Sequence, residues 1–150
     1  MTVALEDACA RMDANAAKLL PLRDRLIEGL QAIPYCALNG DAKQRLPGNV
    51  NFCFEGIEGE SLLLLLDRKG IAASSGSACT SGSLDPSHVL LAIGLPHEVA
   101  HGSLRLSVGE YNTDAEMAYI VDNVRQVVAY LRSISPVWDE LETGARPHLI

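Results

Sequence analysis

Apolar residues recur at intervals of three and four along the N-terminal part of the chain, which is the spacing of one face of a helix. The pattern extends from Val3 to Ile33. Pro21 lacks a backbone N–H and crowds the preceding turn, so we expect a kink or a break near residues 17 to 21. The chain therefore begins with a long helical segment that packs through one face.

Two later segments alternate polar and apolar residues, which is the pattern of a strand with one buried face. They are Asn49 to Phe54 and Ser103 to Val108. The apolar residues of each segment share one face, whereas Cys53 in the first and Arg105 in the second lie on the opposite, more polar face. Two shorter runs are also candidate strands, Tyr35 to Leu38 and Ile71 to Ala73.

Helices are predicted between and after these strands. Glu60 to Lys69 contains a run of five leucines that cannot all face one side, so we expect this helix to be covered over most of its surface and to end at Gly70. A capping box formed by Thr113 and Glu116 opens a helix that runs to about Ser133.

Shorter helices complete the pattern. Asp85 is placed to cap a helix that begins at Pro86, and Gly94 follows its end. The tail from Gly144 to Ile150 has no periodic pattern, so we expect it to be loosely held. The predicted short helices are Pro86 to Ile93, His97 to His101, and Ser135 to Leu141.

This order of elements predicts a single α/β (α+β) domain over residues 1–150, in which helices pack on a three- or four-stranded, largely antiparallel sheet. The formal charge of −7 argues against a nucleic-acid partner, and no apolar run approaches the ~20 residues that a membrane span needs. The N-terminus lacks a signal-peptide pattern, and the four cysteines are scattered without CxxC spacing. We therefore expect free thiols in a reducing cytoplasm.

One cysteine stands in an unusual setting. Cys79 lies among small and polar residues in the stretch from Ser74 to Ser87, between an apolar run and the start of a helix. Long connections of this kind are usually functional or disordered. An accessible thiol near a helix start is a candidate nucleophile, whereas the simpler interpretation is an ordinary small residue in a flexible loop. The residues alone do not decide between the two.

Arg105 and the histidines are the other candidate functional groups. A lone arginine on the polar face of a strand is either a surface charge or a clamp for an anion, because its guanidinium fork matches a carboxylate. His97 and His101 are four residues apart, but no acidic or thiol partner that would complete a metal site is evident nearby. We therefore predict no metal site.

The segment SSGSACTSGSLDPSHVLLAIGL resembles the active-site cysteine loop of NifS/IscS-type cysteine desulfurases. The segments LPGNVNFCFEGIEGES, AHGSLRLSVGEYNTDAEM and LRSISPVWDEL resemble the same family in the same order, so the resemblance extends over nearly the whole chain. It implies the small C-terminal domain of a fold-type I enzyme that uses pyridoxal phosphate (PLP) and acts as a homodimer.

The resemblance also implies roles for two residues. Cys79 would be the nucleophile that takes sulfur from L-cysteine, leaving L-alanine and an enzyme persulfide, and Arg105 would bind the substrate carboxylate. The sulfur would pass to an acceptor, such as an iron–sulfur scaffold protein or a protein of tRNA thiolation. A loop of serine and glycine suits a thiol that must reach both the substrate and the acceptor.

The chain departs from the family in one respect. Its three lysines, Lys18, Lys43 and Lys69, do not stand in the Ser-x-His-Lys setting of the PLP lysine, which in the family belongs to a large domain. We therefore expect a fragment that lacks the large domain, contributes no cofactor-binding residue and is inactive alone. The alternatives are a stand-alone persulfide carrier, an inactive structural module that pairs with a desulfurase, another class V enzyme, or a half that works in trans with a separately encoded PLP domain.

Overall fold

Strands and helices alternate irregularly along the chain in the computed structural model, which describes residues 1–75 and 86–150. The strands are β1 (Cys36–Leu38), β2 (Asn49–Phe54) and β3 (Ser103–Ser107). The helices are α1 (Thr2–Ala10), α2 (Met12–Gln31), α3 (Gly59–Asp67), α4 (His88–Ala92), α5 (His97–His101), α6 (Asp114–Ser133) and α7 (Pro136–Glu142). No helix within the described ranges combines the length and the apolar character that crossing a bilayer requires.

The three strands form one antiparallel sheet in the order β1-β2-β3, which confirms the predicted architecture. The prediction of a strand at Ile71 to Ala73 is wrong. In the described part of the chain, residues 71–73 pair with no strand. The Ile71 N–H donates to the carbonyl oxygen of Leu66, and the segment meets the sheet at a single bridge between Ser74 and Arg105. One pair of hydrogen bonds is too short a ladder to make a fourth strand.

One face of the sheet carries the hydrophobic core. The alternating residues of β2 and β3 that point to this face are buried, as the sequence pattern predicts. Helices α2, α3 and α6 cover this face and complete a single large cluster. Its strand residues are Val50, Phe52, Phe54, Leu104 and Leu106.

The predicted N-terminal helix is interrupted, but at Arg11 and not near Pro21. Pro21 lies inside α2, which continues because Leu22, Leu26 and neighbouring residues are buried against the core, and this packing outweighs one missing hydrogen bond. Helix α1 has no buried residue, so no packing holds it in line with α2. Burial, and not the proline, therefore decides where the helix breaks.

The leucine-rich helix α3 is only partly covered. Leu62 and Leu66 are fully buried, while Leu64 is 69% exposed. Leu63 and Leu65 are partly buried against the core, so the expectation that most of the helix surface is covered is wrong only for Leu64 among the five leucines. Gly70 follows the helix with a φ of +74°, the left-handed conformation that glycine adopts most easily, as predicted.

The predicted helix ends are confirmed in part. Thr113 and Glu116 form the capping box of α6, and the Ser135 side chain caps α7. Helix α4 begins at His88, with Ser87 in the capping position. Pro86 therefore lies outside the helix, which is shorter than predicted. The predicted cap Asp85 lies outside the described residues.

The C-terminal tail is held firmly, so the expectation of a loose tail is wrong. The buried Glu55 carboxylate accepts a hydrogen bond from the backbone N–H of Leu149, and its other oxygen lies 2.7 Å from Nδ1 of His148. The His148 ring stacks on Tyr35, with 3.7 Å between the ring centroids. A buried carboxylate needs such partners, and the tail supplies them.

Candidate functional site

The face of the sheet opposite the core carries a line of four polar residues, one from each of four neighbouring chain segments. Asn51 of β2 pairs with Arg105 of β3, and Arg105 pairs on its other side with Ser74. Asn39 extends the β1–β2 register, since its N–H donates to the carbonyl oxygen of Asn51. We call Asn39, Asn51, Arg105 and Ser74 the polar row.

Arg105 is held near the middle of the polar row. Its backbone exchanges two hydrogen bonds with Ser74, at 3.0 and 2.6 Å, and its Nη2 donates to the Ser74 hydroxyl oxygen at 3.4 Å. The arginine is half-buried. A guanidinium anchored in this way on a strand keeps a defined direction, and its fork presents several N–H groups to a planar carboxylate.

The asparagine end of the row is fixed by a buried amide. Asn39 is 8% exposed, and its Nδ2 donates to Oδ1 of Asn51 at 2.6 Å and to Sγ of Cys53 at 3.3 Å. The amide of Asn51 is thereby held by Asn39 through its Oδ1. The row therefore combines an oriented amide with the Arg105 guanidinium on adjacent strands.

Cys79 lies in residues 76–85, outside the described residues, but both flanks of that segment are described. On the N-terminal side, Ser74 belongs to the polar row. On the C-terminal side, Leu90 of α4 is buried in a small apolar cluster with Cys53 of β2 and with Val99 and Ala100 of α5. Cys53 lies on the same face of β2 as Asn51. Both flanks are thus anchored on the face that carries Arg105.

The thiols in the described part of the chain differ in exposure. Cys9 is exposed, Cys36 is half-buried and Cys53 is buried. Burial raises the pKa of the Cys36 thiol, and the charge of Arg132 partly opposes this shift. Burial also raises the pKa of the Cys53 thiol, and the hydrogen bond from Asn39 partly opposes that shift. Since the thiolate is the reactive form, the environments of Cys36 and Cys53 suppress their reactivity.

The structure assembles groups that the sequence did not mark as functional. Asn39 directly follows β1 and Asn51 lies within β2, and no local sequence pattern marks either residue as functional. The alternation in β2 did place Asn51 on the polar face, but only the strand register brings it beside Arg105. The rings of His97 and His101 do share a face, 4.7 Å apart, and no cluster of three or more potential metal ligands occurs in residues 1–75 and 86–150.

Comparison with known proteins identifies the family. Residues 4–120 match the family model described as aminotransferase class V. The chain belongs to this family. It is 57% identical over 134 residues to the cysteine desulfurase IscS of Methanosarcina thermophila, covering 89% of this chain and 33% of that protein. It is 54% identical over 140 residues to the cysteine desulfurase IscS of Clostridium botulinum, covering 91% of this chain and 35% of that protein.

A solved structure titled as a NifS-like protein has the same fold. It superimposes with a TM-score of 0.73 at 27% sequence identity, covering 85% of this chain and 32% of that one. The resemblance to NifS/IscS-type cysteine desulfurases is therefore confirmed, together with the predicted fold class. The chain spans about a third of the length of the curated relatives that it matches.

Enzymes of this family use PLP, which they hold through a lysine. The three lysines of this chain are all on the surface. The Lys18 ammonium group binds the carbonyl oxygen of Glu110, Lys43 lies in the loop between β1 and β2, and Lys69 follows the end of α3. None of them lies on the sheet face of Arg105. The lysines of this chain therefore do not fit a PLP linkage beside the polar row.

Proposed function

We propose that this chain supplies the substrate-binding arginine and the sulfur-accepting cysteine of a cysteine desulfurase. The observation that carries the proposal is the polar row, in which Arg105 is bonded to Ser74 immediately before the segment that contains Cys79. The family match and the desulfurase names of the relatives support the same proposal.

Arg105 binds the carboxylate of L-cysteine in this proposal. Its Nη2 is tied to Ser74, so the other N–H groups of the fork determine how the substrate is oriented. The amide of Asn51 stands on the neighbouring strand, at the same level of the sheet. A carboxylate on Arg105 would accordingly lie over the face on which both flanks of the cysteine segment are anchored.

Cys79 takes the sulfur. The reaction is balanced when L-cysteine and the Cys79 thiol give L-alanine and a Cys79 persulfide, because the carbon–sulfur bond of the substrate breaks and a sulfur–sulfur bond forms on Cys79. The persulfide sulfur then passes to an acceptor protein of iron–sulfur cluster assembly or tRNA thiolation. We place the protein in the cytoplasm.

We propose that turnover requires a PLP-bearing large domain in addition to the residues described here. The three surface lysines support this proposal, because none of them fits a PLP linkage beside Arg105. We therefore propose that the chain alone does not turn over cysteine, and that the complete enzyme works as a homodimer in which the large domain presents the cofactor and this domain presents Arg105 and Cys79.

The test is intact-mass analysis after incubation with L-cysteine and PLP. The chain is incubated alone and, in parallel, with the large domain of a related desulfurase. We expect one added sulfur atom on the chain only in the second sample, and its loss on treatment with a thiol reductant. Sulfur acquired by the chain alone would refute the assignment of the cofactor to another domain.

Matched cysteine variants assign the sulfur to one thiol. Cys79→Ser should abolish loading, whereas Cys9→Ser, which removes an exposed thiol on α1, should leave it unchanged. A persulfide donor offered without any desulfurase distinguishes the stand-alone carrier, which would load Cys79 from that donor and release the sulfur to an acceptor. Absence of sulfur from both samples would favour an inactive structural module.

A further inference from the structure

A pair of arginines lies outside the polar row and has no part in the proposed chemistry. Arg23 belongs to α2 and is 3% exposed, which is rare for a charged residue. Arg45 is half-buried in the loop between β1 and β2. Burial lowers the pKa of Arg45, the positive charge of Arg23 lowers it further, and the negative charge of Asp41 opposes this shift.

The hydrogen bonds of this pair are incomplete. Arg23 donates from Nε and Nη2 to one carboxylate oxygen of Asp24, at 2.9 and 2.7 Å, and Arg45 donates from Nη2 to the carbonyl oxygen of Asn39. Three further nitrogens are buried without any acceptor in the described part of the chain: Nη1 of Arg23, and Nε and Nη1 of Arg45.

This arrangement is costly without a ligand. Burying a polar donor without an acceptor costs free energy, and two nearby positive charges repel each other. The nearby carboxylates do not supply the missing acceptors. Asp24 is already bound to Arg23 and its side chain is 62% exposed, and Asp41 accepts from the backbone N–H groups of Lys43 and Gln44.

The missing partner must offer several acceptor oxygens and negative charge. A water molecule accepts only about two hydrogen bonds and leaves both positive charges in place. An oxyanion accepts many hydrogen bonds from guanidinium groups and neutralises them, which is how arginine clusters bind phosphates and carboxylates. We propose that Arg23 and Arg45 form a binding site for a small oxyanion, separate from the polar row.

The test is thermal unfolding of the chain with inorganic phosphate, sulfate, acetate or chloride at low millimolar concentration and constant ionic strength. We expect phosphate or sulfate to raise the midpoint saturably, by roughly 3 °C, and chloride to leave it unchanged. Saturation by acetate alone would still support the site and would identify a carboxylate as its ligand. Calorimetric titration with the effective anion measures the same binding directly.

The variants are chosen to remove the fork with little change in bulk. Arg45→Met keeps the apolar stem and should abolish the saturable shift, and Arg45→Lys, which keeps the charge, should weaken it. Arg25→Met is the matched control, because Arg25 also lies on α2 but is exposed and paired with Asp114. The proposal is overturned if the unmodified chain shows no saturable shift, or if Arg45→Met retains it. Arg45→Lys serves the same comparison if Arg45→Met does not fold.

Discussion

The two faces of the sheet are built from the same strands but are held by different forces. On the core face, Phe52 and Phe54 are fully buried under α2, α3 and α6. On the opposite face, the polar row is joined by hydrogen bonds, and Arg105 is only half-buried. The core face contributes stability through apolar burial, whereas the polar face leaves a cation and an amide accessible to a ligand.

This division explains how a small sheet can be both stable and functional. Adjacent residues of a strand point to opposite faces, so Phe52 can be optimised for packing while Asn51 and Cys53 face the other side. A slip of one residue in the pairing would exchange the two faces. The register that buries Phe52 is therefore the same register that places Asn51 beside Arg105.

The largest predicted effect is the loss of stability when a residue on the core face is truncated. Phe52→Ala removes a fully buried ring and should lower the free energy of unfolding by about 3–5 kcal/mol. Asn51→Ala, one residue away on the polar face, should cost only about 1 kcal/mol through its lost hydrogen bond to Asn39. Urea denaturation of both variants measures the difference. Equal losses would mean that the two faces contribute equally to stability.

The sequence predicted the core face well, because an alternating pattern records burial residue by residue. It predicted β2 with its correct bounds and the burial of Leu104 and Leu106 in β3. It could not predict the bond between Asn39 and Asn51, since cross-strand partners depend on register and not on local pattern. The proposal for Arg105 depends on the resemblance to a known family and not on periodicity.

Contacts between distant parts of the chain account for the other errors. The tail looked unstructured because its partner, Glu55, is far away in the sequence. Pro21 looked like a helix breaker because the sequence does not show that the next turn of α2 packs on the core. In both cases tertiary contacts outweighed a local preference, as is common when a segment is buried.

The second largest effect concerns the thiols. Cys53 is buried on the polar face and Cys9 is exposed on α1, so iodoacetamide should modify Cys53 at least roughly 10²-fold more slowly than Cys9 in the folded chain. Peptide mass spectrometry over a time course measures both rates. In denaturant the two rates should converge. Similar rates under native conditions would show that α4 and α5 do not protect this part of the sheet.

The third effect should separate binding from stability on the polar face. Arg105→Gln removes the charge and should reduce sulfur loading of Cys79 in the mixture with a large domain by roughly 30-fold, as expected for loss of a charged hydrogen-bonding partner. The free energy of unfolding should change by less than about 1 kcal/mol, because the residue is half-buried and its bond to Ser74 is long.

Two further variants control this experiment. Arg105→Lys keeps the charge but loses the fork, so it should restore only part of the loading. Arg125→Gln removes an exposed arginine of α6 that pairs with Asp122, and it should leave loading unchanged. Full loading by Arg105→Gln would remove Arg105 from the substrate site while leaving the role of Cys79 open to its own test.

The smallest effect is a dependence of stability on pH that originates at Cys53. Burial raises the pKa of this thiol in the folded chain, whereas in the unfolded chain it ionises near its ordinary value of 9.0. The unfolded state therefore loses the proton first, and the contribution of Cys53 to stability is present below that pH and declines as the pH rises through it.

Cys53→Val removes the ionisable group. The change in the free energy of unfolding that this substitution causes should therefore be more favourable at pH 9 than at pH 7, by at most about 0.4 kcal/mol. Urea denaturation at the two pH values measures this change, and Cys9→Ser, which alters an exposed thiol, should show none. An equal response of both variants would mean that Cys53 is not shielded from solvent, and the polar face would then be open beneath α4 as well as at Arg105.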